Sequence, residues 1–155
     1  MISNINRSNC IYELNYDFDT ERLLKEFNES DLATFSSYNE TWERSGKLGE
    51  YSQNIIDIFD DMIDGRVIGL FYNQPAGTAV KLHRDMNCKS KINIILSHGG
   101  STLMMGGHEI KYETALLNVH EVEHSVSVAP FNRSMLSVVF MENGFHEVKE
   151  KITNG

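Results

Sequence analysis

The chain has 155 residues, the length of one ordinary globular domain, and 41% of them are hydrophobic. No apolar run approaches the ~20 residues needed to span a membrane, and the first residues lack the basic-then-apolar layout of a signal peptide, so a soluble, cytoplasmic protein is expected. A formal net charge of -8 disfavours a nucleic-acid backbone as the main partner, and two cysteines, Cys10 and Cys88, far apart and outside any CxxC, suggest neither a disulfide framework nor a cysteine zinc site.

Residues 1–65 are polar and helix-leaning. Asp19-Thr20 followed by ERLLKEFNE predicts a capped helix with Leu23, Leu24 and Phe27 on one face. Ser52 followed by QNIIDIFDDMID predicts a second, with Ile55, Ile56, Phe59 and Met62 at helical spacing. Between them Tyr38, Trp42 and the Gly46–Gly49 region read as a loop, with Trp42 as a packing residue. From Arg66 the period changes. Eight strands are expected, at 66–73, 78–84, 90–97, 101–105, 108–112, 114–118, 124–129 and 133–140, separated by turn signals at Pro75-Ala-Gly77, Gly99-Gly100, Gly106-Gly107 and Pro130. Gly106-Gly107 has the form of a two-residue hairpin turn. The stretch KINIILS is apolar on both faces, which places it centrally with the helices on its outer side. The whole reads as one domain, 1–155: a helical layer over 1–65, a β core over 66–140 arranged as a sandwich, jelly roll or barrel, and a tail over 141–155.

Chemistry concentrates in the β core. In an extended chain residues i and i+2 point the same way, so His83 and Asp85 can share a metal. His124 opens the seventh strand, and a third ligand there completes two histidines and one carboxylate, leaving the opposite face of the metal open. Arg133 opens the eighth strand, and its guanidinium fork suits a bidentate grip on a carboxylate. Tyr72, on the first strand, reads either as a hydrogen-bonding partner for a bound anion or as a barrel-wall aromatic. Two other histidines, His108 after the glycine turn and His146 in the tail, read as solvated, and Met104 and Met105 as core or pocket lining.

This order of residues resembles the 2-oxoglutarate- and Fe(II)-dependent oxygenases, whose motif is HxD/E…H with an Arg following the distal His. The stretch from His83 through HRDMNCKSKINIIL is most similar to aspartyl/asparaginyl β-hydroxylases or prolyl hydroxylase-type members of that superfamily. The resemblance covers about residues 66–140. It implies a double-stranded β-helix, a mainly β cupin-like jelly roll with N-terminal helices. It implies Fe(II) at His83, Asp85 and His124, and 2-oxoglutarate as co-substrate with its distal carboxylate on Arg133. Lys91 aligns with a basic co-substrate-binding residue, and Asn93, on the same strand face, with a polar neighbour. No catalytic residue is expected beyond the metal ligands. The implied activity is hydroxylation of a C–H bond of an amino-acid side chain, free or within a peptide, with 2-oxoglutarate converted to succinate and ascorbate in support. The chain departs from many members of the superfamily in having Met135, with Ser137 later, where Arg-x-Ser is common.

Two other functions compete. One is a cupin-like metal-binding protein without 2-oxoglutarate turnover, which needs no basic carboxylate grip. The other is a zinc peptidase, because His120-Glu-Val-Glu-His124 spells HExxH. That motif requires a helix, whereas its surroundings are β-leaning. In an extended segment the two histidines lie ~13 Å apart, too far for one ion. His120 is therefore read as a loop or surface residue near the site.

Overall fold

The computed structural model describes residues 5–37 and 40–154. In chain order it contains β1 (Ile11–Glu13), α1 (Thr20–Glu29), β2 (Ala33–Ser37), β3 (Glu40–Ser45), α2 (Glu50–Met62), β4 (Val67–Gln74), β5 (Val80–His83), β6 (Ser90–Ser97), β7 (Leu103–Met105), β8 (His108–Ile110), β9 (Thr114–Leu117), β10 (His124–Val126), β11 (Arg133–Phe140) and α3 (Phe145–Asn154). The strands form a seven-stranded sheet, ordered β1-β9-β6-β11-β4-β3-β2, and a four-stranded sheet, ordered β5-β10-β7-β8. All neighbours in both sheets are antiparallel. This is a double-stranded β-helix, the fold that the family resemblance implies and one of the jelly-roll arrangements that the strand pattern from Arg66 allows.

Two apolar layers hold it. Between the sheets lie Ile95, Leu103, Met105, Leu117, Val126 and Met135. On the outer face of the large sheet, Leu23 of α1, Ile55, Ile56 and Phe59 of α2, and Phe145 and Val148 of α3 pack on Phe71, Ile92, Ile94, Leu136 and Phe140. The central strands β6 and β11 therefore contribute to both layers, which is why KINIILS is apolar on both faces. Gly106 and Gly107, at φ 58° and 85°, make the tight turn between β7 and β8, a backbone that L side chains adopt only with strain.

Several expectations need correction. The segment between the first two helices is not a loop, because Phe35 pairs with Trp42 and Ala33 with Arg44 in a β2–β3 hairpin that extends the large sheet. Tyr38 lies outside the described residues. Helix α2 starts at Glu50 rather than after Ser52: Glu26 of α1 accepts from the backbone N–H of Tyr51 (2.9 Å) and Ser52 (2.8 Å), and so caps it from another element. The expected tail carries α3, and Leu24 of the first helix is 38% exposed instead of facing the core. Both cysteines are free and buried. No helix among the described residues is long and apolar enough to cross a membrane.

Candidate metal centre

His83 ends β5 and His124 opens β10, and the two are directly paired across that antiparallel ladder. Cross-strand partners share a face, so the imidazoles lie side by side, ring centroids 4.2 Å apart and planes tilted by 56°. Asp85 lies beyond the end of β5, so the strand pleat does not by itself aim it. Its backbone N–H donates to the Val119 carbonyl at 2.8 Å, and its own carbonyl accepts from Nδ1 of His120 at 2.8 Å. Held there, its Oδ1 sits 3.0 Å from Nε2 of His83 and 3.2 Å from Nε2 of His124. The three ligand atoms lie within 4.8 Å of one another.

The donor set fits a divalent metal. Nδ1 of His83 is 2.7 Å from the Lys81 carbonyl and Nδ1 of His124 is 2.9 Å from the Val122 carbonyl. A carbonyl only accepts, so each Nδ1 carries a proton and each ring presents its Nε2 toward the Asp85 carboxylate. Two Nε2 atoms and a carboxylate oxygen converging on one point make the donor set of a two-histidine, one-carboxylate site. The ring N–H to carbonyl bonds are also the usual way of fixing a ligating histidine's tautomer and orientation. His120, by contrast, is in the turn before β10 and turns its Nδ1 to the Asp85 backbone, not to the cluster. There is no helix over the HExxH segment, so the zinc-peptidase reading has no geometric basis.

The cluster opens into a cavity of about 500 Å³ between the sheets. Tyr72 of β4, Lys91 and Asn93 of β6, and Arg133 of β11 all line it, so every expected site residue faces one space. Lys91 Nζ lies 3.6 Å from Asp85 Oδ2 and 5.7 Å from the centre of the Tyr72 ring. Burial works against the charged form of Asp85, but Lys91 and the hydrogen bonds from His124 and His83 outweigh it and hold the carboxyl well below the usual range. Burial likewise disfavours the Lys91 ammonium, and Asp85 overrides it, so Lys91 titrates above an ordinary lysine. Burial pushes the Cys88 thiol up to about 11, with Asp85 adding to the rise; Cys88 therefore stays a thiol beside the site, its Sγ 3.8 Å from Asp85 Oδ2.

Arg133 is only 7% exposed, yet among the described residues no carboxylate stands within ion-pair distance of it. Its guanidinium donates to the Tyr112 hydroxyl at 3.3 Å, which also accepts from Asn93 Nδ2 at 3.0 Å. Ser137 in turn donates to Asn93 Oδ1 at 2.6 Å, which fixes the amide's orientation. With two donors on its oxygen, the Tyr112 O–H has its proton left to give. The buried guanidinium and the phenol proton together make a ready receptor for a carboxylate. Sequence reasoning missed Tyr112, whose hydroxyl gains meaning only through Asn93 and Arg133 on other strands. It also missed Arg44 of β3, which lines the cavity. Met105 lines the cavity and Met104 is 39% exposed. His146 is exposed, whereas His108 is half-buried and hydrogen-bonded to the Ile5 carbonyl.

No protein-family model and no curated protein matches the sequence. Among solved structures the chain is similar to a prolyl-4-hydroxylase of Pseudomonas putida, at 17% identity over 80% of this chain and 84% of that one, with a TM-score of 0.63. It is also similar to an oxidoreductase of the 2OG-Fe(II) oxygenase family from Burkholderia pseudomallei (14% identity, 80% and 79% of the two chains, TM-score 0.57). A third similar structure is a predicted oxalate decarboxylase of Thermotoga maritima (15%, 74% and 95%, TM-score 0.50). At these identities the likeness establishes the shared double-stranded β-helix fold.

Proposed function

We propose that the chain is an Fe(II)- and 2-oxoglutarate-dependent dioxygenase of the superfamily it resembles, hydroxylating a C–H bond of an amino-acid side chain, free or within a peptide. His83, Asp85 and His124 would hold the iron on one face. Bound there, iron with 2-oxoglutarate would supply the oxidising chemistry, in which R–H, O2 and 2-oxoglutarate become R–OH, succinate and carbon dioxide. Arg133 and the Tyr112 hydroxyl receive the distal carboxylate of the co-substrate, and Asn93 keeps the phenol proton turned outward. Lys91 holds Asp85 in its ionised, ligating form and adds positive charge where an anion must enter. Tyr72 walls the same space. The burial of these groups strengthens each contact by excluding water.

The observation that carries this reading is the buried Arg133, which has no carboxylate partner among the described residues and faces the same cavity as the two histidines and the aspartate. A buried cation left unpaired is costly, and a metal site alone gives no reason to keep one. The test is a titration of 2-oxoglutarate into the metal-loaded protein, with succinate release followed in Fe(II) and ascorbate. The expected result is saturable binding that Arg133→Ala weakens by at least ~10²-fold, the scale of a lost charge-assisted bidentate contact. Failure to bind 2-oxoglutarate, or binding indifferent to Arg133→Ala, would leave a cupin-like metal-binding protein without 2-oxoglutarate turnover.

A further inference from the structure

The cavity is far more positive than the chain around it. The chain carries a formal net charge of -8, yet the cavity is lined by Arg44, Lys91 and Arg133 against the single carboxylate of Asp85. The reading above, on which this inference rests, accounts for two of the three cations, since Lys91 is paired with Asp85 and Arg133 receives the co-substrate. Arg44 is left over.

Its placement is specific. On the β2–β3 hairpin Phe35 and Trp42 are directly paired, and Arg44 is two residues on from Trp42, so all three share a face, and all three line the cavity. The Arg44 guanidinium lies over the Phe35 ring, 4.6 Å from its centre. Phe35 meets the Tyr72 ring edge-on at 5.8 Å between centroids, and Lys91 lies beyond Tyr72. An alternating series of cation, ring, ring and cation thus runs from the metal ligand Asp85 out to an exposed guanidinium. Among the described residues no carboxylate is within ion-pair distance of Arg44. A second group on the same face also awaits a partner: Trp42 Nε1 is buried and makes no hydrogen bond among the described residues.

We infer that Arg44 and Trp42 form the substrate's anchoring subsite, and that the substrate is a carboxylate-bearing molecule whose body lies along Phe35 and Tyr72. The guanidinium supplies two parallel donors for a carboxylate and the indole N–H a third. The stack on Phe35 holds the fork in place, so less side-chain freedom is lost on binding.

The test separates this claim from the one beneath it. The metal-loaded protein is first saturated with N-oxalylglycine, an inert analogue of 2-oxoglutarate, and then titrated with phenylacetate or its neutral twin phenylacetamide. Calorimetry is expected to show the acid binding at least tenfold more tightly than the amide. Arg44→Gln should remove that preference while shifting N-oxalylglycine affinity by less than twofold, and Arg133→Ala should do the reverse. Equal affinity for acid and amide, or a preference that survives Arg44→Gln, would overturn the assignment with the co-substrate reading intact. If N-oxalylglycine itself fails to bind, the co-substrate reading falls and this subsite falls with it. Free glutamate and an end-blocked Gly-Glu-Gly peptide, titrated the same way, distinguish a free acid from a peptide side chain as the source of the carboxylate.

Discussion

The three ligands owe their positions to different kinds of force. His83 and His124 are set by a strand ladder, each aimed by a bond from its own Nδ1 to a backbone carbonyl two residues earlier in the chain. Asp85 has left the strand and is set by its neighbours instead, Val119 through the backbone and His120 through its ring. His120 is thus a positioning residue, although the letters HExxH present it as a ligand. The two roles make different predictions. If His120 holds the Asp85 loop, His120→Ala should weaken metal affinity by about 10–100-fold, the usual cost of losing a contact behind a ligand, and leave the metal's coordination spectrum unchanged. If it were a ligand, the spectrum of a cobalt-substituted protein would change with the substitution. His124→Ala is the control, and there the metal site should be lost.

At the scale of elements, what the sequence discloses and what it hides follow from the range of the forces. The eight strands from Val67 to Phe140 were legible because alternation, β-branched residues and glycine turns are local signals. The pairing of His83 with His124 was legible only as chain order, and the structure supplies the register. The β2–β3 hairpin was illegible because its ETWERS strand, next to the edge strand β2, is mostly charged or polar, with exposed side chains such as Thr41 and a single apolar residue, Trp42. The start of α2 was illegible because its cap comes from α1. Glu26 accepts from Ser52 Oγ at 2.6 Å as well as from two backbone N–H groups, and a Cβ at Gly49 would fall within 2.3 Å of the Glu26 carboxyl carbon. Only glycine leaves room for that carboxylate. Burial raises the Glu26 carboxyl, but the bonds from Ser52 and Tyr51 outweigh it and hold it below its ordinary value. A carboxyl depressed in the folded state stabilises above its unfolded pKa of about 4.3, and the contribution fades as pH falls through the lower, folded value. Glu26→Gln should therefore cost about 1–2 kcal/mol at pH 7, measured by urea unfolding, and the gap to the wild type should close below about pH 4. A gap unchanged at pH 3 would mean that the charge of Glu26 does not cap the helix.

Across the whole molecule the two sheets are unequal. The large sheet is built on eight-residue strands, β4, β6 and β11, with three helices packed on its outer face; the small one has strands of three or four residues and an open edge at β5. Short strands with few buried contacts open locally at little cost. The metal ligands belong to the weaker sheet and its adjoining loop, the carboxylate receptor to the stronger one. Metal binding is then expected to stabilise the molecule unevenly. At free metal ~100-fold above Kd the closed form gains about 2.7 kcal/mol, equivalent to roughly a hundredfold slower opening-limited exchange. Amide hydrogen exchange of the protein stripped by chelator should show β5 and β10 exchanging far faster than β6 and β11. Adding Mn(II), which does not turn over, should slow β5 and β10 by up to that factor and narrow the gap between the sheets. Equal exchange in β5 and β10 with and without metal would show that the small sheet does not depend on the ion. The ligand geometry would then be a rigid, preformed feature of the fold instead of one that the metal completes.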